Sequence, residues 1–186
     1  MKKDLGSAGE LFPQSVFIVA SYGEDGTPNA MNAAWAGECG DNEICLNIGN
    51  HKSTANIVAR RAFTVASADV AHVVEADYFG IATGNKVDKA AASGTTFVKS
   101  EYVDAPVIEE FPLTMECEVT DVQGDEHGAR IVGRVVNTRV DESILDDEGR
   151  VDFGKMSPII YDSTRRIYRV VGEEVGGAWN AGKKLL

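Results

Sequence analysis

The sequence predicts a mainly β fold with short helices, arranged as an antiparallel barrel or Greek-key sheet. Strand patterns dominate both ends of the chain, and helical periodicity occurs only in short segments between them. Closure of such a sheet removes the exposed strand edges that would otherwise pair with other chains. A parallel doubly wound sheet is disfavoured, because the late half of the chain does not alternate regularly between strands and helices.

The early and final strands are predicted from apolar runs. These runs are residues 16–20 (VFIVA), 44–48 (ICLNI), 63–66 (FTVA) and 167–171 (IYRVV). The first run is typical of a strand that is covered on both faces. A turn rich in Gly and Pro follows at residues 23–28, so residues 29–37 are expected to return as the second arm of a hairpin.

Residues 113–120 give the clearest strand pattern, because apolar and polar side chains alternate there. The apolar set is expected to face a core; it consists of Leu113, Met115, Cys117 and Val119. The polar set is expected to face water; it consists of Thr114, Glu116, Glu118 and Thr120. A turn at 124–128 then leads into 129–140, which predicts a long hairpin.

Three short segments have helical periodicity. The first covers residues 54–61, with Ser53 or Thr54 as its expected N-cap. The second is indicated by the spacing of one apolar face, which consists of Val70, Val73, Val74 and Tyr78. The third contains Val87, Ala90 and Ala91, and it is expected to end at Gly94.

Composition excludes several classes of protein. The net charge is −11, so we expect no nucleic-acid partner, because binding to a phosphate backbone requires a basic face. No apolar run approaches the roughly 18 residues of a membrane span, so we expect no membrane partner. Three cysteines without Cys-x-x-Cys spacing and an N-terminus without a signal-peptide core favour the cytoplasm. Neither repeats nor linker composition divide the chain, so residues 1–186 are predicted to form one domain.

The common catalytic motifs are missing from the sequence. It contains no G-x-G-x-x-G after a strand, no Walker loop, no H-E-x-x-H and no G-x-S-x-G. The histidines, His51, His72 and His127, are spread along the chain, and surface or capping roles are the better interpretation. We therefore predict neither a metal site nor a catalytic side chain.

Two polar segments indicate a ligand that combines a flat ring with a phosphate. Residues 29–37 (NAMNAAWAG) bring amides, small residues and Trp35 together, which leaves room for a ring near the backbone, although core packing of Trp35 is the alternative. Residues 50–54 (NHKST) open a predicted helix, where free amides and Lys52 could hold a phosphate; an ordinary helix cap is the alternative. Residues 83–89 (TGNKVDK) could add a second contact or form a capped surface helix.

At these segments the chain resembles the flavin reductase-like, FMN-binding split-barrel family, in particular its flavoredoxin type. The matching pieces occur in the same order over most of the chain: DGTPNAMNAAWAG at 25–37, KST at 52–54, DYFG at 77–80, TGNKVDK at 83–89, APVIEE at 105–110 and LTMECEV at 113–119. The resemblance implies a split barrel, a homodimer and FMN bound near the subunit interface.

The resemblance also assigns the cofactor-binding residues. Those expected along the isoalloxazine ring and ribityl chain are Asn29, Met31, Asn32, Ala33, Ala34 and Trp35. Those expected at the phosphate are Asn50, Lys52, Ser53 and Thr54, and those expected to complete the pocket are Gly84, Lys86, Asp88 and Lys89. Trp179 is expected either to cover the ring or to form a dimer contact.

Two positions depart from the family pattern. Lys52 and Ser53 stand where relatives often have an Arg and an aromatic residue, so the phosphate contact has a point charge and not a guanidinium fork. Phe79 stands where flavoredoxin-type relatives often have Cys, which excludes a thiol role there.

The function expected from the resemblance is an FMN-dependent oxidoreductase that takes electrons from a reduced nicotinamide nucleotide or a redox protein and passes them to an acceptor. A non-catalytic FMN-binding electron carrier or flavin-storage protein requires the same pocket and is the alternative. A flavin-free barrel that serves in protein interaction is a third interpretation, and it leaves the amides and small residues around Trp35 without a purpose.

Overall fold

A computed structural model describes residues 1–9 and 11–186. The described strands are β1 (Gln14–Ser15), β2 (Phe17–Tyr22), β3 (Pro28–Ala33), β4 (Ala36–Gly40), β5 (Glu43–Gly49), β6 (Ala62–Ser67), β7 (Phe97–Lys99), β8 (Pro106–Ile108), β9 (Leu113–Asp125), β10 (Gly128–Val140), β11 (Ile159–Asp162) and β12 (Ile167–Val170). The described α-helices are α1 (Lys52–Arg60), α2 (Val73–Ile81), α3 (Lys89–Ser93) and α4 (Phe153–Met156). Short 3₁₀ helices cover Glu142–Ile144 and Ala181–Leu185.

The main sheet is antiparallel and has the strand order β3-β2-β6-β9-β10-β5-β4. Its two edge strands, β3 and β4, are consecutive in the chain and are separated only by Ala34 and Trp35. The sheet must therefore curve until its edges lie side by side, which makes a barrel. The predicted antiparallel, mainly β architecture is confirmed.

The predicted first hairpin is confirmed only in part. Strands β2 and β3 pair from Phe17 opposite Ala33 to Tyr22 opposite Pro28. The return arm ends at Ala33, however, and residues 36–40 pair with β5 at the other edge of the sheet. The expectation of one arm over 29–37 was wrong, because periodicity does not reveal where a strand changes its partner.

Both faces of the sheet are covered on the β2 side. Val19 packs in a cluster with Leu46, Phe63 and Ile131, while its neighbour Ile18 packs in a second cluster with Phe79. The second cluster joins the outer face of β2 and β6 to α2 and to the segments around β8 and β11. The prediction that residues 16–20 form a strand covered on both sides is confirmed.

The polar face of β9 is not uniformly exposed. Thr114 and Glu116 are each only 2% exposed, whereas Glu118 and Thr120 face water as predicted. Glu116 lies opposite Thr64 of β6, whose hydroxyl donates to the Pro106 carbonyl oxygen at 2.6 Å. The expectation that the whole polar face is solvated was wrong: Thr114 and Glu116 are buried, and Glu116 accepts a hydrogen bond from the side-chain amide of Asn137 on β10.

The long hairpin formed by β9 and β10 confirms the prediction from residues 113–140. The predicted runs at 44–48, 63–66 and 167–171 also appear, as β5, β6 and β12. Because β10 pairs with both β9 and β5, the hairpin links the two halves of the barrel.

Helices α1 and α2 differ in detail from the prediction. The N-cap of α1 is His51, not Ser53 or Thr54, which lie inside the first turn. In α2 the predicted apolar face is confirmed only in part. Val73 and Tyr78 pack against the second cluster, but Val74 is 73% exposed, and the fully buried side chains are Ala76 and Phe79. The smaller Ala76 allows the helix to approach the second cluster closely, which a count of large apolar residues does not reveal.

Helix α3 ends as predicted at Gly94, which adopts a left-handed conformation with φ of 72°. Among the described residues, no helix has both the length and the apolar composition needed to cross a membrane. After β12, residues 172–186 form a C-terminal arm in which every residue is exposed.

Candidate functional site

Two adjoining clefts lie where β3, the start of α1 and the end of α2 meet. The lysine cleft has a volume of about 240 Å³, and its lining residues are Asn29, Met31, Asn32, Asn50, His51, Lys52, Ser53, residues 79–85 and Lys89. The aromatic cleft has a volume of about 340 Å³, and its lining residues are Asn32, Ala34, Trp35, Asp77, Gly80, Ile81, Tyr161, Arg166 and Tyr168. The two clefts share Asn32, Gly80 and Ile81, so they are two parts of one site.

A buried hydrogen bond fixes the floor of the lysine cleft. The Asn29 side-chain amide, on β3, donates to the Ser53 hydroxyl oxygen, on α1, at 2.8 Å. Asn29 is 3% exposed and Ser53 is 2% exposed, so this contact is shielded from bulk water. The hydroxyl hydrogen of Ser53 stays available to an acceptor in the cleft.

The turn after α2 closes one side of the same cleft. Lys52 Nζ donates to the Gly84 carbonyl oxygen at 3.2 Å. A Cβ atom added to Gly84 would lie 2.1 Å from Asn29 Oδ1, so only glycine permits this approach. Asn29, Lys52 and Gly84, which are distant in sequence, therefore fix one another in place.

Lys89 places a second ammonium group at the lysine cleft. Its Nζ donates to the carbonyl oxygens of Ala30 at 2.9 Å and Phe79 at 2.8 Å, and the residue is 5% exposed. An ammonium has three N–H donors, so one remains beyond these two contacts. Burial lowers the pKa of Lys89 to about 8, because no carboxylate compensates for the desolvation of its charge.

The electrostatic character of the lysine cleft contrasts with that of the whole chain. The net charge of the chain is −11, yet the described residues that line this cleft include two lysines and neither Asp nor Glu. The first turn of α1 also contains no acidic residue. The free backbone N–H groups at a helix start add positive potential, so this cleft is suited to an anion.

The aromatic cleft has a different chemistry. Trp35 is 51% exposed at its wall, and the rings of Tyr161 and Tyr168 lie 6.0 Å apart. The Tyr168 hydroxyl donates to Asp77 Oδ1 at 2.9 Å. Burial, together with this bond to a carboxylate, raises the pKa of Tyr168 to about 12, so the phenol is protonated at neutral pH. Flat, partly exposed rings of this kind are suited to contact with a planar ligand.

The structure brings together ten of the residues selected from the sequence. Those at the lysine cleft are Asn29, Met31, Asn32, Asn50, Lys52, Ser53, Gly84 and Lys89, and those at the aromatic cleft alone are Ala34 and Trp35. Trp35 is not a core residue, which removes the packing alternative considered for it.

The remaining five selected residues line neither cleft. Ala33 is 3% exposed and packs in the barrel core, and the Thr54 hydroxyl donates to the Gly49 carbonyl oxygen at 2.6 Å. The Asp88 carboxylate caps α3 by accepting from the Ala91 N–H at 3.1 Å. Lys86 is exposed outside both clefts, and Trp179 is 96% exposed in the C-terminal arm.

Several lining residues were not selected from the sequence. Within the lysine cleft they are His51, Phe79, Gly80, Ile81, Ala82, Thr83 and Asn85; within the aromatic cleft they are Asp77, Tyr161, Arg166 and Tyr168. The DYFG and TGNK pieces already marked residues 77–80 and 83–86, so most of the first group carried a usable signal. The tyrosines of β11 and β12 carried none, because nothing in the sequence places the last strands beside Asn32.

Comparison with solved structures defines the class of fold. Flavoredoxin from Methanosarcina acetivorans matches with a TM-score of 0.90 and 24% identity over 100% of both chains. A putative flavin reductase with a split barrel domain from Shewanella frigidimarina NCIMB 400 matches with a TM-score of 0.79 and 14% identity, covering 90% of this chain and 86% of that one. The chain therefore has the split-barrel fold.

The sequence identifies the family. A profile of the flavin reductase like domain matches residues 9–168, and the chain belongs to the flavin reductase-like family. Flavoredoxin of Desulfovibrio vulgaris (Miyazaki F) is 38% identical, with a TM-score of 0.92 over 98% of this chain and 100% of that chain. Membership of this family supports a flavin-binding redox protein.

Proposed function

We propose that the protein is an FMN-dependent oxidoreductase that takes electrons from a reduced nicotinamide nucleotide or a redox protein and delivers them to an acceptor. The observation that carries this proposal is the lysine cleft: within residues 1–9 and 11–186, its lining contains lysines and no acidic residue, in a chain of net charge −11. An anionic group such as the FMN phosphate is the ligand that such a lining attracts.

The residues at the lysine cleft fit a phosphate. The Lys52 ammonium and the Ser53 hydroxyl can both donate to phosphate oxygens, and the start of α1 supplies backbone N–H groups. The Asn50 side chain lines the same cleft and is exposed, so it is accessible to a ligand. Lysine replaces the guanidinium fork of many relatives, so we propose that the phosphate is held by several single contacts.

The shared edge of the two clefts fits a flat ring. Asn32 is held there by a bond from its side-chain amide to the Ala76 carbonyl oxygen at 2.9 Å, and Gly80 lies against it. Ala34 leaves space at the aromatic cleft, and Trp35 provides a planar wall. Together the clefts lie within the range of roughly 300–1,000 Å³ that is typical of cofactor sites.

When bound, FMN supplies the hydride and electron chemistry. The residues of this chain orient the cofactor, restrict water and compensate charge. Lys89 supports the last role, because its buried ammonium lines the cleft with one donor free of protein partners among the described residues. A general acid or base from the protein is not required for hydride transfer, so we assign no catalytic residue.

We also propose a homodimer in which the second subunit restricts access to the site. Ile81 lines both clefts and is 77% exposed, and Val74, on the same helix, is 73% exposed. Large apolar side chains beside a polar site favour coverage by another protein surface.

A non-catalytic electron carrier is the second candidate, and the net charge of −11 favours it. An acidic surface accelerates docking to a basic redox partner by electrostatic steering. Both candidates require the same flavin site, so kinetics must distinguish them.

The decisive experiment measures oxidation of NADH and NADPH by the purified protein supplied with FMN. Turnover well above that of free FMN supports the oxidoreductase. Failure of both nicotinamides, with reduction by a ferredoxin-like protein, supports the carrier. A protein that stays colourless after incubation with FMN and removal of free flavin contradicts both.

A further inference from the structure

The C-terminal arm leaves the barrel without returning to it. The last backbone hydrogen bond to the barrel runs from the Val171 N–H to the Pro158 carbonyl oxygen at 3.0 Å. Beyond it, the described backbone hydrogen bonds of residues 172–186 stay within the arm, such as that from the Ala181 N–H to the Gly177 carbonyl oxygen at 3.0 Å. The arm is therefore locally ordered but has no hydrogen bond to the described part of its own barrel.

The arm carries large apolar side chains that its own chain does not bury. Val175 is 100% exposed, Trp179 is 96% exposed and Leu185 is 86% exposed. Trp179 also has a φ of 54°, a left-handed conformation that is unfavourable for a bulky side chain. Such a conformation persists where surrounding contacts impose it, and the described part of this chain leaves the Trp179 side chain almost fully exposed.

An apolar groove of about 430 Å³ lies at the base of the arm. Its lining is almost entirely apolar and includes Phe17, Leu113, Phe153, Met156, Ile159 and Val171. Phe153 is 61% exposed at its rim. An exposed apolar surface of this kind indicates a site that another surface covers.

We propose that the C-terminal arm of each protomer docks into the apolar groove of a second copy, with Trp179 as the principal anchor. The arm follows directly on Val171, which lines the groove, yet none of the arm's own residues, 172–186, is part of that lining. Reciprocal exchange of the arms buries both arms and both grooves and closes a symmetric dimer.

The area and the charge of the arm both suit it to dock into the groove of a second copy. An aromatic side chain buries roughly 150–250 Å², so two arms that each also carry Val and Leu side chains reach the scale of about 1,000 Å² for a stable interface. The arm contains Glu173, Glu174, Lys183 and Lys184, whose side-chain charges cancel. It can therefore approach a copy of this acidic chain without the repulsion that two like-charged surfaces would impose.

The test is a disulfide cross-link between Trp179→Cys and Phe153→Cys in a Cys39→Ser background, which removes the exposed native thiol. Oxidation is expected to give a covalent dimer on a non-reducing gel. The matched control pairs Trp179→Cys with Val58→Cys, on α1, where 41% of Val58 is exposed. A cross-linked monomer, no cross-link, or an equal yield of covalent dimer from the control would each overturn the proposal.

A second measurement uses Trp179→Ala, whose exposed position leaves the barrel intact. Its dimer dissociation constant is expected to rise at least about tenfold, as for removal of an aromatic interface anchor. An unchanged constant, measured by light scattering over a dilution series, would contradict the role of Trp179.

Arm exchange extends the proposed homodimer but does not depend on flavin binding. Failure of arm exchange can therefore be distinguished from failure of the homodimer or of the flavin site. If the variant is dimeric in solution but oxidation does not link position 179 of one copy to position 153 of the other, the homodimer proposal stands and arm exchange is rejected. A cross-linked dimer that does not bind added FMN supports arm exchange and rejects the flavin site.

Discussion

The lysine cleft and the aromatic cleft meet at Asn32 but are built in different ways. In the lysine cleft, polar groups from distant segments already bond to one another: Asn29 to Ser53, and Lys52 to the Gly84 backbone. In the aromatic cleft, the main wall is Trp35, which is half exposed. One end of the site is preformed by hydrogen bonds, whereas the other is an open surface of rings.

This difference suggests a division of roles. Preorganised donors fix a ligand with little loss of conformational entropy, so the lysine cleft is suited to determine flavin affinity. The aromatic cleft is accessible, so it is suited to the binding and release of an electron donor or acceptor. Changes at the lysine cleft should therefore affect binding of FMN, and changes at the aromatic cleft should affect it less.

The largest effect is expected from Gly84→Ala. The new Cβ would lie 2.1 Å from Asn29 Oδ1, so the turn and the Asn29–Ser53 bond must shift. We expect the dissociation constant of FMN to rise about 10- to 100-fold, as for other overpacked sites. Fluorescence titration of FMN measures this change. The control is Gly37→Ala, because an added Cβ there meets no described atom within 4 Å. Equal losses of FMN affinity in both variants would contradict the proposed role of the Gly84 turn in the lysine cleft.

Two lysines near the site allow a sharper comparison. Lys52 lines the lysine cleft, whereas Lys86 is exposed outside it. Lys52→Met should weaken FMN binding about tenfold, since a charge-assisted hydrogen bond is lost, and Lys86→Met should change it less than about twofold. Calorimetric titration at two salt concentrations should also show a weaker salt dependence for Lys52→Met alone. A larger loss from Lys86→Met would move the phosphate site away from Lys52.

Lys89 predicts a pH dependence of stability. Burial lowers its pKa from 10.5 to about 8, so between these pH values the unfolded chain binds more protons than the folded chain. The free energy of unfolding contributed by this group therefore rises as the pH increases through that window. Urea unfolding of the wild type and Lys89→Met should diverge in favour of the wild type with increasing pH. A constant difference across the window would exclude a lowered pKa. Lys99→Met is the matched control, because Lys99 is exposed on β7.

The smallest effect is expected from Tyr168→Phe in the aromatic cleft. The ring stays, but the hydroxyl bond to Asp77 is lost, which should reduce the free energy of unfolding by about 1 kcal/mol. FMN affinity should change less than about twofold if this cleft contributes mainly to exchange. Tyr102→Phe is the control, since Tyr102 is 59% exposed. A loss of FMN affinity as large as that of Lys52→Met would contradict the division between the clefts.

Periodicity predicted the strands well because the barrel buries both faces of β2 and the apolar face in the first half of β9. It failed where tertiary contacts decide the outcome. Thr114 and Glu116 are buried although they belong to the polar set, because alternation does not show which part of a strand face the rest of the chain covers. The buried face of α2 was predicted only in part, because its most buried side chains are Ala76 and Phe79, whereas Val74 of the predicted face is exposed.

The lysine cleft could be predicted more completely than the aromatic cleft. Residues 29–32, 50–53 and 84 lie in short motifs whose residue types suit a phosphate or a ring. Tyr161 and Tyr168 reach the site only because β11 and β12 fold against α2, a long-range arrangement without a local signal. Asp88 was selected because it lies within a matching motif, but its carboxylate caps α3 and lines neither cleft.

The assignment of the lysine cleft to the FMN phosphate is tested most directly by the dissociation constants of FMN and riboflavin, which differ only by the phosphate. We expect the wild type to bind FMN at least about tenfold more tightly than riboflavin, and Lys52→Met to lose most of this preference. Equal affinity of the wild type for the two flavins would contradict the assignment of the lysine cleft to the phosphate.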